Sequence, residues 1–219
     1  MWHLLDLVSR GHQYYLNGAI HDPDKLPGFI DKMHERFGTL IAPSTRAKRK
    51  KRCVPTAHLV LYQDADSTWL WWVLFAGDVS AIKKRCAEYR EASRDAGSKG
   101  GRLQFRDEYV LRQRQRPRTD GGGRTWTWFM AKPVVNAVER ELVSLSSSHG
   151  WRSQRTDDLE RAVERLRNRP MFNGVRLQAS HALTRAKRTW YKTHASGERY
   201  PEILDAPLPA FVGRIRLFN

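Results

Sequence analysis

The sequence predicts an α+β fold, a sheet crossed by two helices, on three observations. Runs rich in aromatic and β-branched residues occur at 12–20, 58–62, 69–75 and 103–111, and such residues suit the extended backbone of a half-buried sheet. Helical periodicity follows the first run and the third, whereas only the polar stretch Gln63-Asp64-Ala65-Asp66-Ser67-Thr68 separates the second from the third. From Pro133 onward the apolar spacing is helical. The order strand, helix, strand, strand, helix, strand is the ferredoxin-like split βαββαβ arrangement, its long right-handed crossovers supplied by the helices.

A short amphipathic helix opens the chain with Trp2, Leu4, Leu5, Leu7 and Val8 and ends at Gly11. In the first strand, His12 to Ile20, Asn17-Gly18 is expected to add a bulge or an early turn. Asp22-Pro23-Asp24 starts a helix bearing Phe29, Ile30, Met33 and Phe37, and Gly38 stops it. Asp78 caps the second crossover helix, with Val79, Ile82, Cys86 and Tyr89 on one face. The run 103–111 is expected as the fourth strand. Thr125 to Met130 then returns beside it as an added fifth strand, after a loop at 112–124 that contains Gly121, Gly122 and Gly123. Helices follow from Pro133, at about 156–168 and at about 175–192. The expected organisation is a ferredoxin-like domain at 1–131, C-terminal helices packed on it at 132–196, and an extended Pro-containing tail at 197–219.

Lys and Arg number 39 against 23 Asp and Glu, a formal net charge of +16. So large an excess opposes compaction and points to a polyanionic partner. Arg46, Lys48, Arg49, Lys50, Lys51 and Arg52 crowd one short stretch between Pro43 and Pro55, which reads as a mobile loop suited to phosphates. Arg112, Arg114, Arg116, Arg118 and Arg124 surround the glycine-rich hairpin, and Arg185, Lys187 and Arg188 lie on the last helix. Tyr15 and Trp71, on strands expected to be central neighbours, are assigned to an open sheet face on which bases stack.

The expectation is a nonenzymatic protein that binds nucleic acid, DNA or RNA, alone or as a subunit of a nucleoprotein assembly. A nuclease on the same fold is the runner-up. Asp64-x-Asp66 with Asp107 or Glu108 has the carboxylates to hold Mg²⁺, although a polar hairpin turn is the plainer reading of Asp64 and Asp66. His12 or His58 offers a general base with no partner placed by sequence, and Gly121 to Gly123 lacks the Gly-Lys-Ser/Thr of a P-loop. A third reading is an inhibitor or adaptor whose basic surface meets an acidic protein. No motif calls for a metal or cofactor, and Cys53 and Cys86, with no second pair, read as reduced thiols. No apolar run approaches the roughly 20 residues of a membrane span, so no membrane partner and a cytoplasmic location are expected.

The runs Arg10-Gly11-His12-Gln13-Tyr14-Tyr15, His58-Leu59-Val60-Leu61-Tyr62, Trp69-Leu70-Trp71-Trp72 and Trp126-Thr127-Trp128 together resemble those of proteins from proteobacterial conjugative plasmids and integrative elements. The resemblance implies a role in mobile-element transfer, maintenance or defence, and it brings no activity to any position.

Overall fold

A computed structural model describes residues 1–116, 118–148, 153–195 and 198–210, with the backbone alone at 120 and 153–155. The chain is mixed α+β with antiparallel sheets. It divides into two compact units, one made of Met1–Leu103 with Gln115–Trp126 and the other of Gln104–Arg114 with the described residues from Thr127 onward.

The first unit contains helix α1 (Trp2–Ser9), strand β1 (Tyr14–Ile20), helices α2 (Leu26–Phe37) and α3 (Pro43–Lys51), strands β2 (Thr56–Gln63) and β3 (Trp69–Ala76), helix α4 (Val79–Glu88) and a two-residue strand β4 (Arg94–Asp95). Local chemistry sets several boundaries. Asp22 accepts from the Asp24 amide at 3.1 Å to begin the 3-10 turn ahead of α2, and Gly38, at φ 66°, ends α2 in the left-handed conformation. An Asp78 oxygen takes the Ala81 amide at 2.7 Å and caps α4.

The sheet runs β2-β3-β1-β4, every pair antiparallel. Leu16 of β1 and Val73 and Phe75 of β3 meet Met33 and Phe37 of α2 and Ile82 of α4 in one buried cluster, so both helices cover the same face. The β1–β3 register is unbroken from Tyr14↔Phe75 to Ile20↔Trp69, and the bulge expected at Asn17-Gly18 is absent. Gly18 instead clears space for an indole: a Cβ built there would stand 2.6 Å from Trp71 Cζ2.

The run at 103–111 does not supply the fourth strand, and no five-stranded sheet forms among the described residues; β4 takes the edge beside β1. The polar Arg106-Asp107-Glu108, with Arg106 at φ 51°, breaks that run into β5 (Gln104–Phe105) and the longer β6 (Tyr109–Gln115), which pair as a hairpin. With β7 (Arg124–Met130) they form a separate three-stranded sheet, β5-β6-β7. The segment expected as a loop at 112–124 is shorter than anticipated, since β6 extends to Gln115 and the return strand begins at Arg124.

In the second unit, α5 (Lys132–Leu145), α6 (Ser153–Arg167) and α7 (Asn173–Thr193) follow the sheet segments. Val175, Ala179, Ala182, Ala186 and Trp190 recur at three- and four-residue spacing on α7, all buried, which makes that stripe its packing face. Gln178 departs from the pattern: its Oε1 takes the Met130 amide at 2.7 Å while its Nε2 donates to the Met130 carbonyl at 3.1 Å. Gly174 lies so close to β7 that a Cβ there would meet the Trp128 carbonyl oxygen at 2.3 Å. No helix among the described residues is long and apolar enough to cross a membrane.

Candidate functional site

The six-cation stretch is not a loop. Its residues form most of α3, with Pro43 in the first turn, where a missing amide hydrogen costs nothing. Lys and Arg are good helix formers, and cations in the last turn oppose the partial negative charge of the helix end, so mutual repulsion does not prevent the helix. Its C-terminus closes as a Schellman turn: the Val54 amide donates to the Arg49 carbonyl and the Cys53 amide to that of Lys50, with Cys53 at φ 55°.

The helix distributes its cations by role. Arg46 turns inward, its Nη2 donating to the carbonyls of Thr39 at 3.2 Å and Ile41 at 3.1 Å, so it braces the approach to α3. Lys48, Arg49, Lys50, Lys51 and Arg52 have no carboxylate within ion-pair distance among the described residues, and all but Arg49 are exposed.

Thr45, Lys48, Arg49 and Arg52, spaced as one stripe of α3, line a groove of about 890 Å³. Its opposite wall is built from the C-terminal turn of α2, including Arg36, and from Ala81 and Arg85 of α4. Phe37, Ala57, Phe75 and Ile82 reach it from the core, and Val54 and Pro55 from the segment before β2. Arg36 and Arg85 flank the Tyr89 ring, their guanidinium carbons 4.8 and 5.1 Å from its centroid. Arg85 is further held by its Nε on the Arg36 carbonyl at 2.9 Å and its Nη1 on Glu88 at 2.9 Å. Among the described residues, Glu35 is the one carboxylate that lines the groove, with Glu88 paired to Arg85. Sequence reasoning missed Arg36 and Arg85. The signal was present, because the two crossover helices of this strand order lie on one face of the sheet and each carries an arginine near its C-terminus.

Beside α3 and away from this groove, His12 and His58 meet edge to face, ring centroids 4.7 Å apart. His12 Nδ1 lies 3.2 Å from the Leu7 carbonyl. Burial first, then the charges of Arg46 and the neighbouring histidines, push His58 down to about 4; burial also lowers His12. The contact places the two histidines together, but ring edge against ring face leaves no gap for a phosphate between them.

The aromatic pair expected on an open face is divided between two faces. Cross-strand partners share a face, so Trp71, opposite Gly18, lies on the helix-covered side, packed at 4.9 Å from the Phe29 ring. Tyr15, opposite Leu74, lies on the other side, 2% exposed, with its hydroxyl donating to the Arg102 carbonyl at 3.2 Å. Neither ring offers a free stacking platform.

The remaining cations differ in availability. Arg112 packs its guanidinium 4.4 Å from the Phe129 centroid, and Arg114 shares its half-buried state on β6. Arg116 closes the hairpin through its amide on the Gly123 carbonyl at 2.8 Å; Arg118 and Arg124 are exposed beside Gly121, Gly122 and Gly123, all at positive φ. On α7, Arg185 pairs with Glu139 at 2.5 Å and Lys187 with Asp205, leaving Arg188 exposed. Asp64 and Asp66 close the β2–β3 turn, accepting from the amides of Ala65 at 2.6 Å and Thr68 at 3.0 Å. Among the described residues, no cluster of three or more His, Cys, Asp or Glu has the arrangement of a metal site. Comparison with known proteins finds no matching family, curated protein or solved structure.

Proposed function

We propose that the chain is a nucleic-acid-binding protein that holds phosphates along α3 and the cationic groove beside it, without catalysing a reaction. The observation that carries this reading is the ordered display of Lys48, Lys50, Lys51 and Arg52 on one helix with no acidic partners among the described residues. Cations already paired inside a protein gain little from a phosphate, whereas unpaired ones exchange water and counterions for it. The exposed arginines at the hairpin tip are a secondary contact in this reading. The strand order β2-β3-β1-β4 with two helices on one face supports a ferredoxin-like first unit in which β4 is reduced to two residues. A place in a nucleoprotein assembly of a mobile element agrees with the same charge distribution.

The test is a salt titration of binding to a labelled oligonucleotide, with Lys48, Lys50, Lys51 and Arg52 replaced together by Ser. Each lost phosphate contact lowers the slope of log affinity against log salt by about 0.7–0.9. Replacing the ion-paired Arg185 and Lys187 instead is expected to leave that slope unchanged. An unaltered affinity and slope in the α3 variant defeats the proposal.

A further inference from the structure

We infer that the groove beside α3 receives an unstacked base of single-stranded nucleic acid, a refinement that rests on the proposed nucleic-acid binding. A duplex presents phosphates outward and keeps its bases within the stack, so cations on a flat surface are sufficient to hold it. This site is built differently. Its cations, Lys48, Arg49 and Arg52 on one side and Arg36 and Arg85 on the other, stand around a floor to which Phe37, Phe75 and Ile82 contribute. A cationic margin around an apolar floor complements a nucleotide, in which a charged phosphate and a planar, weakly hydrated base are joined by a short sugar.

Size agrees with that occupant. A groove of about 890 Å³ has room for a base together with its sugar and phosphate. The margin also discriminates by charge: Lys48, Arg49, Arg52 and Arg36 outnumber Glu35, the one lining carboxylate among the described residues, while Arg85 is already paired with Glu88, so the groove favours an anionic ligand over a neutral or cationic one. Contact with the Tyr89 ring restrains both Arg36 and Arg85, which reduces the side-chain freedom lost when they meet a phosphate.

The experiment measures fluorescence anisotropy of the full chain with three labelled DNA probes of about 12 nucleotides: an oligothymidylate, an abasic strand with the same phosphates, and a duplex. The oligothymidylate is expected to bind about 10-fold or more tightly than the abasic strand, the value of a well-seated base. Ala81→Phe and, separately, Val54→Phe narrow the groove and are expected to erase the difference in affinity between the oligothymidylate and the abasic strand. If either variant fails to fold, the comparison of oligothymidylate with abasic strand on the unmodified chain still decides. Equal binding of these two strands, or tighter binding of the duplex, overturns the inference and leaves nucleic-acid binding standing. Binding of none of the three probes, nor of an oligouridylate of the same length, at low salt removes both. A polyglutamate peptide that displaces oligothymidylate as well as unlabelled oligothymidylate does assigns the groove to an acidic protein and likewise overturns it.

Discussion

The indole of Trp71 lies directly over Gly18 of the neighbouring strand, its Cζ2 2.6 Å from the position a Cβ would take there. The two are cross-strand partners at the centre of the sheet. Gly18 is not in the left-handed region, so the requirement for glycine is steric alone. Gly18→Ala is therefore expected to destabilise the protein by about 1–3 kcal/mol, as overpacking does. Combining it with Trp71→Leu is expected to cost less than the sum of the two single changes, because the smaller side chain vacates the contested space. Urea denaturation of the four proteins in this cycle measures the coupling, and strict additivity would contradict the steric account.

Gln178 acts on β7 as a neighbouring strand does, accepting from one backbone group of Met130 and donating to the other. Gln178→Ala leaves both groups without that partner and is expected to cost roughly 1–3 kcal/mol. Gln178→Glu keeps an acceptor for the amide but no longer donates to the carbonyl, so it too is expected to destabilise. The midpoints of urea unfolding at constant m-value are the measurement; unchanged midpoints would show that the clamp contributes nothing.

His58 gives stability a dependence on pH. Its folded-state proton affinity is lowered, to about 4, by burial and by Arg46, His12, His3 and Arg10 around it, so between that value and the ordinary histidine range the unfolded chain binds more protons. The contribution is fully present above the unfolded value near 6.5 and is lost as pH falls toward 4. Unfolding midpoints are expected to drop on going from about pH 7 to about pH 4.5, and to drop less in His58→Gln. An equal drop in both proteins would assign the effect to other groups.

What the sequence made legible follows from how local each signal is. The helix faces carrying Met33 and Phe37, and Ile82 and Cys86, repeat within single elements, and the Asp78 cap and the Gly38 stop are written within one turn. Alternation within the strand sets which rings of Trp69-Leu70-Trp71-Trp72 share a side, but not which side the helices cover, and Trp71 falls on the covered one. The face shared by Tyr15 is not set within one strand either, because it depends on the register that sets Tyr15 opposite Leu74, and register is a property of two strands together. The flanking prolines hid α3, since Pro43 reads as a loop boundary as readily as a helix's first turn, and a run of cations carries no apolar periodicity. A two-residue strand such as Arg94–Asp95 has too few side chains to produce a pattern. Of the site, the cations of α3 were visible as composition, whereas Arg36 and Arg85 could be found only through the strand order, which puts both crossover helices on one face of the sheet.

The two thiols differ in access: Cys53 is exposed at the turn ending α3, and Cys86 is 1% exposed in the core. A thiol reagent added to the native protein is expected to modify Cys53 rapidly and Cys86 only after denaturant is added; rapid modification of both would contradict the packing of α4. Arg52 and Val54, on either side of Cys53 in the chain, both line the groove. The chain thus has a natural attachment point for a dye or spin label where α3 ends, and occupancy of the groove becomes readable as a change in probe environment with no cysteine engineered in or out.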